Sequence, residues 1–408
     1  MDDVHRRSTT MPVVTMIGGG QLARMTHQSA IELGQCLRVL ASNTDDPAAT
    51  VSADVVIGSH DSLDDLRRAA AGANALTFDH EGVPLAHLQA LEAEGVTVHP
   101  PSKALHFAQD KLAMRTRLSA LGLPVPDFVD LSGDRVAARA ALREFGARHD
   151  WQIVVKAVRG GYDGRGVWLL DDEAAALAVI DGADDATQLM AEAKVPMRRE
   201  LSALIARSPF GQGAAWPVVE TIQRHGQCAV VLAPAPGLSA EVAERAQQMA
   251  LRLADELGVV GVMAMELFET SDGELVVNEL AMRPHNSGHW SMDGAITSQF
   301  EQHLRAVLDY PLGATDAVAG PVVMANVLGA AQAPSMSMDE RIHHLMGRIP
   351  EAKIHLYGKS ERPDRKVGHV NIVGVPGASI DEVRERAERA ATWLSTATWT
   401  DGWDEHGE

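Results

Sequence analysis

The sequence predicts an α/β protein, with mixed α+β character beyond its first third. Three observations carry the prediction. Short apolar runs alternate with helical stretches over the first hundred residues, a strand ending in Lys156 runs into a glycine-rich loop and out into another strand, and two apolar strands joined through Asp272-Gly273 each carry a glutamate. At 408 residues, two or three domains are expected.

Taken in order, Val13–Ile17 reads as a strand followed by Gly18-Gly19-Gly20 and a helix from Gln21. Strands at Leu37–Ala41, Asp54–Gly58, Ala75–Phe78 and Val96–His99 complete an alternating β/α segment, which argues for a parallel sheet in a first domain at residues 11–108. Pro100-Pro101 leads into one helix, Lys103–Gly122. Ile153–Ala157 and Val167–Leu170 form a hairpin around Arg159–Gly166. Strand-like Leu201–Arg207, Val218–Gln223 and Ala229–Ala233 precede a helix, Ala240–Leu257, and the paired strands Val259–Phe268 and Leu275–Leu280. A helix over Ser298–Val307 follows, and residues 320–400 read as short strands.

The formal net charge is −19, which disfavours sequence-independent binding to nucleic acid or anionic membrane but leaves room for a small anionic ligand held by local basic clusters. Two cysteines, Cys36 and Cys228, exclude a disulfide framework and a cysteine-rich zinc site. The polar first ten residues lack the apolar core of a signal peptide, so a soluble cytoplasmic protein is expected.

Five features carry chemistry. Gly18–Gly20 resembles part of a dinucleotide fingerprint with Ala23 in the last slot; a tight packing turn and a sugar-phosphate site are the other readings. Lys156 beside the 160–166 loop is what nucleotide phosphates need, a point charge and a cover, although no Walker motif closes it. Glu266, Asn278 and Glu279 come side by side if their strands pair, and carboxylates in such apolar runs are costly unless they are paired or hold a cation such as Mg²⁺; two edge-strand glutamates facing water are the other reading. Met282–Trp290 packs Arg283, His285, Asn286, Ser287 and His289 into one loop, and Lys359–His369 is a basic cluster in an acidic chain. No serine-hydrolase elbow or zinc helix is present.

The strings G-G-G-Q-L-A-R-M, K-A-V-R-G-G-Y-D-G-R-G, N-E-L-A-M-R-P-H-N-S-G-H-W and R-K-V-G-H-V-N resemble the 5-(carboxyamino)imidazole ribonucleotide synthase family, ATP-grasp ligases of purine biosynthesis, over about residues 13–375. The resemblance implies a pre-ATP-grasp domain at 11–108, an ATP-grasp domain at 109–310 and a β-rich C-terminal domain at 318–402. It also implies carboxylation of aminoimidazole ribonucleotide by bicarbonate through carboxyphosphate, with ATP and Mg²⁺ (or Mn²⁺), in a homodimer. ATP would meet Lys111, Lys156, the loop Gly161, Tyr162, Asp163, Gly164, Arg165, Gly166 and Val167, the segment Glu192, Ala193, Lys194 and Val195, then Glu200, Gln223, Asn278 and Glu279. The metal would sit on Glu266 and Glu279. The ribonucleotide would lie near Gly20, Gln21, Tyr162, His285 and Asn286, with its phosphate on Lys359, Arg365 and Lys366. Asp163 would orient the amine and Arg283 would steady bicarbonate or carboxyphosphate. Lys111, Gln223 and Asp79 depart from the family's usual arginine, histidine and glutamate. The alternatives are a formate-using transformylase of the same superfamily, a nucleotide-dependent dehydrogenase resting on the first glycine run alone, and a non-enzymatic sensor.

Overall fold

The computed structural model describes residues 10–161, 165–184, 186–318 and 320–403, and the strands form three sheets. The first is parallel, in the order β3-β2-β1-β4, from β1 (Val14–Ile17), β2 (Arg38–Ala41), β3 (Asp54–Ile57) and β4 (Ala75–Phe78). β1, β2 and β4 are buried at every position, as strands covered on both faces are. Val96–His99, expected as a further strand, makes a single bridge between Leu76 and Val98. Pro100 and Pro101 follow without the N–H donors that would extend a ladder.

The expected helix over 103–122 is two helices, Ser102–Gln109 and Lys111–Ala120. Asp110 between them is extended, and its side chain accepts from the Ala113 N–H, so it caps the second helix and ends the first. That break puts Lys111 at a helix start, its N–H bonded to the Val158 carbonyl (2.9 Å) beside the glycine hairpin.

The second sheet is antiparallel, β5 (Phe128–Asp130), β6 (Ile153–Ala157), β7 (Val167–Leu170) and β8 (Leu189–Ala193), ordered β5-β8-β6-β7. The third holds nine strands: β9 (Met197–Arg207), β10 (Gly213–Ala215), β11 (Val219–Arg224), β12 (Gln227–Ala233), β13 (Gly261–Thr270), β14 (Leu275–Ala281), β15 (Val322–Leu328), β16 (Lys353–Leu356) and β17 (Lys366–Val373). They run β14-β13-β9-β11-β12-β15-β17-β16, with β10 on β9. Residues 320–400 therefore hold more than short strands. Helices Met338–Arg348 and Ile380–Thr396 accompany them, and in the second the buried Val383, Ala387, Ala390, Ala391 and Leu394 recur at helical spacing and pack on β15 and β17.

Glu266 on β13 and Lys366 on β17 stand five strand steps apart, about 24 Å along a flat sheet. Even so, Asn286 in the loop beyond β14 pairs with Asn326 on β15 (3.0 and 2.8 Å), and Asn371 on β17 donates to the His289 carbonyl of the same loop (3.2 Å). Accumulated strand twist must curl the sheet so that its two ends approach. Among the described residues no helix is long and apolar enough to cross a membrane.

Candidate active site

β1 delivers Gly18–Gly20 to the start of the helix Gln21–Glu32. Asp79, just beyond β4, takes the place an anion would occupy there: Oδ2 accepts from the Gly20 N–H (2.5 Å) and Oδ1 from the Ala23 N–H (3.1 Å). A β-carbon at Gly20 would collide with that carboxylate, so close approach explains the glycine. With the helix N-terminus filled by the chain's own carboxylate, the dinucleotide reading loses its phosphate site.

The two metal candidates do come together. Glu266 pairs in register with Glu279, and the ladder then slips so that Leu267 pairs with Val277, which leaves Asn278 as an extra residue. This β-bulge departs from strict alternation and lets Asn278 and Glu279 serve one site. Burial first and Glu279 second push the Glu266 carboxyl up to about 8. A carboxylate pair held at that cost suits a hard divalent cation. Among the described residues no three carboxylate, imidazole or thiol groups converge to hold a metal by themselves. The two glutamates would thus supply part of a shell, the remainder being phosphate oxygens and water.

Cations surround this pair. Lys111 bonds Glu279. Lys156 meets Glu192 (2.7 Å) and Asn278 Oδ1 (3.3 Å), and burial lowers its ammonium below the usual range. Burial alone would raise the Glu192 carboxyl, but Arg115 and Lys156 outweigh it and hold it low. No sequence pattern singles out Arg115. Its guanidinium, 1% exposed, donates to Glu192 Oε1 (2.6 Å) on the second sheet and to the Asn278 carbonyl (2.5 Å) on the third, joining the two across the cleft. Glu200 lies on β9, its carboxyl raised by burial and hydrogen-bonded by Gln223. Ala193 ends β8 and Lys194 and Val195 follow it, the Ala193 and Lys194 N–H groups bonded to the Asp127 and Gln152 carbonyls. Gly161 sits near Lys111, and Arg165, Gly166 and Val167 re-enter the hairpin. Tyr162, Asp163 and Gly164 lie outside the described residues.

Beyond β14, Arg283 donates to Glu81 (2.6 Å); burial pulls its guanidinium down, and Glu81 outweighs this and raises it. The His285 ring accepts from the Ser287 N–H at Nδ1, which leaves Nε2–H facing Glu266 (3.4 Å). Burial, then Arg283 and Lys366, push His285 down to about 3, so the ring is neutral. The Asn286 amide forms a reciprocal pair with Asn326 (3.0 and 2.8 Å). Lys359 bonds Gln21, Arg365 bonds Ser360 (2.8 Å), and Lys366 opens β17. Described residues from the five sequence features are thus linked by one run of contacts, with cations at both ends and carboxylates between them.

The ATP-grasp domain family matches residues 116–300, the ribonucleotide synthetase preATP-grasp domain 11–109, and the phosphoribosylaminoimidazole carboxylase C-terminal domain 322–386. N5-carboxyaminoimidazole ribonucleotide synthase of Mycobacterium tuberculosis (strain ATCC 25618 / H37Rv) is 62% identical over 97% of this chain and 90% of its own length. The chain belongs to the N5-carboxyaminoimidazole ribonucleotide synthase family. It is an ATP-grasp ligase by that membership. The Corynebacterium ammoniagenes synthase of the family is 48% identical over 96% of the chain and 94% of its own length. Among solved structures, the synthetase of Thermus thermophilus superimposes with a TM-score of 0.82 at 34% identity, covering 96% of this chain and all of its own (100%). The Aspergillus clavatus synthase, in complex with ADP and 5-aminoimidazole ribonucleotide, gives 0.83 at 27% identity, covering 94% of this chain and 98% of its own.

Proposed function

We propose that this enzyme carboxylates 5-aminoimidazole ribonucleotide with bicarbonate at the expense of ATP, giving 5-(carboxyamino)imidazole ribonucleotide, ADP and phosphate. The observation that carries this reading is the run of contacts that ties Lys111 to Glu279, Lys156 to Asn278, Glu279 to Glu266, Glu266 to His285, and Lys359 to Gln21. A bicarbonate oxygen attacks the γ-phosphorus and ADP leaves. The exocyclic amine then takes the carboxyl group of carboxyphosphate, directly or as released CO₂, with phosphate leaving and the amine losing a proton.

Lys111 and Lys156 hold the ATP phosphates, Glu192–Val195 the adenine, Glu200 and Gln223 the ribose side, and Asn278 and Glu279 the polyphosphate. Mg²⁺ on Glu266 and Glu279, when bound, neutralises charge on the phosphates. The loop 161–167 excludes water from carboxyphosphate, which hydrolyses readily. Arg283 steadies the anion, Asp163 orients the amine, and Tyr162, His285, Asn286 and the Gly20-Gln21 turn line the ribonucleotide. Lys359, Arg365 and Lys366 receive its phosphate. The work is divided among domains at 11–108, 109–310 and 318–402, in a cytoplasmic homodimer.

Phosphate release from Mg·ATP tests the reading. Release should require both bicarbonate and the ribonucleotide. Equal release with formate in place of bicarbonate would leave the ATP-grasp chemistry standing and sink the named reaction.

A further inference from the structure

The loop that carries Arg283, His285 and Asn286 has no regular ladder to hold it, yet it must present those groups to within a fraction of an ångström. Gln299, the first residue of the helix Gln299–Val307 and 0% exposed, meets it from behind. Its Oε1 accepts from the His285 N–H (2.9 Å), and its Nε2 donates to the His285 carbonyl (2.8 Å). The side-chain amide thus pairs with one backbone residue as a neighbouring strand would. The second hydrogen on Nε2 goes to His289 Nδ1 (2.8 Å), which makes that nitrogen an acceptor and places the His289 proton on Nε2. A β-carbon at Gly288 would collide with the same amide, and Ser291 Oγ accepts from the Gln299 N–H (2.9 Å) while donating to the Gly288 carbonyl (2.6 Å). Every donor on the Gln299 amide, and its oxygen, is spent on this one loop.

We propose that Gln299 is the positioning residue of the ribonucleotide side, fixing the His285 backbone and the His289 tautomer so that Arg283 and His285 face the reacting groups. The inference rests on the reaction proposed above. Gln299 touches no ligand itself and acts through His285.

The same helix supplies its own control. Gln302, also 0% exposed, makes the same two-point clamp on the Gly313 backbone (2.8 and 2.8 Å), away from the loop. Gln299→Met and Gln302→Met each remove a two-point backbone clamp while keeping side-chain length, and the first also removes the bond to His289. The full-length variants would be compared in the phosphate-release assay, with unfolding midpoints and ¹⁵N imidazole spectra taken in parallel. Gln299→Met should lower kcat/KM for the ribonucleotide on the order of 100-fold, leave KM for ATP within about twofold, and shift the His289 ¹⁵N signals away from the Nε2–H pattern. Gln302→Met should also lose stability and keep wild-type kinetics. Equal kinetics in the two variants, with ribonucleotide-dependent release intact in the wild type, would reduce Gln299 to a structural residue. Absence of such release in the wild type would instead overturn the reaction, and this role with it.

Discussion

The two ends of the cleft are built from different materials. At the nucleotide end, opposite charges hold one another: Lys111 with Glu279, and Lys156 and Arg115 with Glu192. Around the ribonucleotide loop, the fixing contacts from Asn286 to His289 are between neutral amides, hydroxyls and imidazoles. On the proposed assignment, phosphates and a cation arriving at the first end would exchange for ion pairs already made, because Lys111 cannot serve Glu279 and a phosphate equally well. At the second end Arg283 is paired with Glu81 (2.6 Å), but the loop backbone behind it is held by these neutral contacts, which no ligand has to displace. One side of the active site is therefore adjusted by its ligand, while the other is set beforehand.

Substitutions can break that contrast. The largest effect should come from Glu279→Gln, which strips the pair with Glu266 of a charge and Lys111 of its partner. Phosphate release should fall on the order of 1,000-fold, while ribonucleotide binding, measured calorimetrically, changes by no more than a few-fold. Comparable damage to ribonucleotide binding would mean that the two ends are one coupled unit.

Arg115→Met comes next. It leaves Glu192 buried with Lys156 alone, and breaking such a pair costs about 3–5 kcal/mol. Urea titration should show the loss, with KM for ATP rising and KM for the ribonucleotide holding. A loss under about 1 kcal/mol would show that Lys156 suffices.

Acid should act on the neutral side. His285 and His303 are pushed down to about 3, and His289 and His369 well below the usual value, in each case by burial foremost. These rings stay neutral when folded and take up protons when unfolded. Their contribution is complete above the unfolded value of about 6.5 and drains away as pH falls below it, at up to about 1.4 kcal/mol per pH unit for each ring. His303, whose Nδ1 accepts from the Val262 N–H (3.0 Å) and whose Nε2 meets Thr77 (2.8 Å), joins the first sheet to the third. Unfolding midpoints taken from pH 7 to 5 should decline, and His303→Asn should flatten the decline by one ring's worth. An unchanged slope would show that His303 does not titrate on unfolding.

The smallest effect is the Asn286–Asn326 pair. A double-mutant cycle to alanine should return a coupling of about 1 kcal/mol, and zero would mean that each amide finds water instead.

Much of this was visible in the chain itself. A lysine ending a strand before a glycine loop, and two glutamates on strands joined by Asp-Gly, are local patterns, and local patterns survive into the fold. Arg115 and Gln299 were not visible, because each looks like an ordinary helix residue until tertiary packing brings Glu192 or His285 against it. The break at Asp110 was half legible: aspartate before Lys111 is a capping signal, masked by helical residues on both sides. Asp79 shows the same limit from the other direction. The glycines it faces promise an anion site, and only the parallel pairing of β1 with β4 shows that the anion is a side chain of the protein.

The curl of the nine-stranded sheet has a mechanical consequence. Glu266 and Lys366 sit on opposite jaws of a caliper whose frame is the run of backbone ladders through β9, β11, β12 and β15, so on the proposed assignment the span between the cation end and the phosphate-receiving end is set largely by main chain. A ligand one methylene too long would meet a gauge, not a cushion, and a bulge introduced into β12, far from either ligand, would re-zero it.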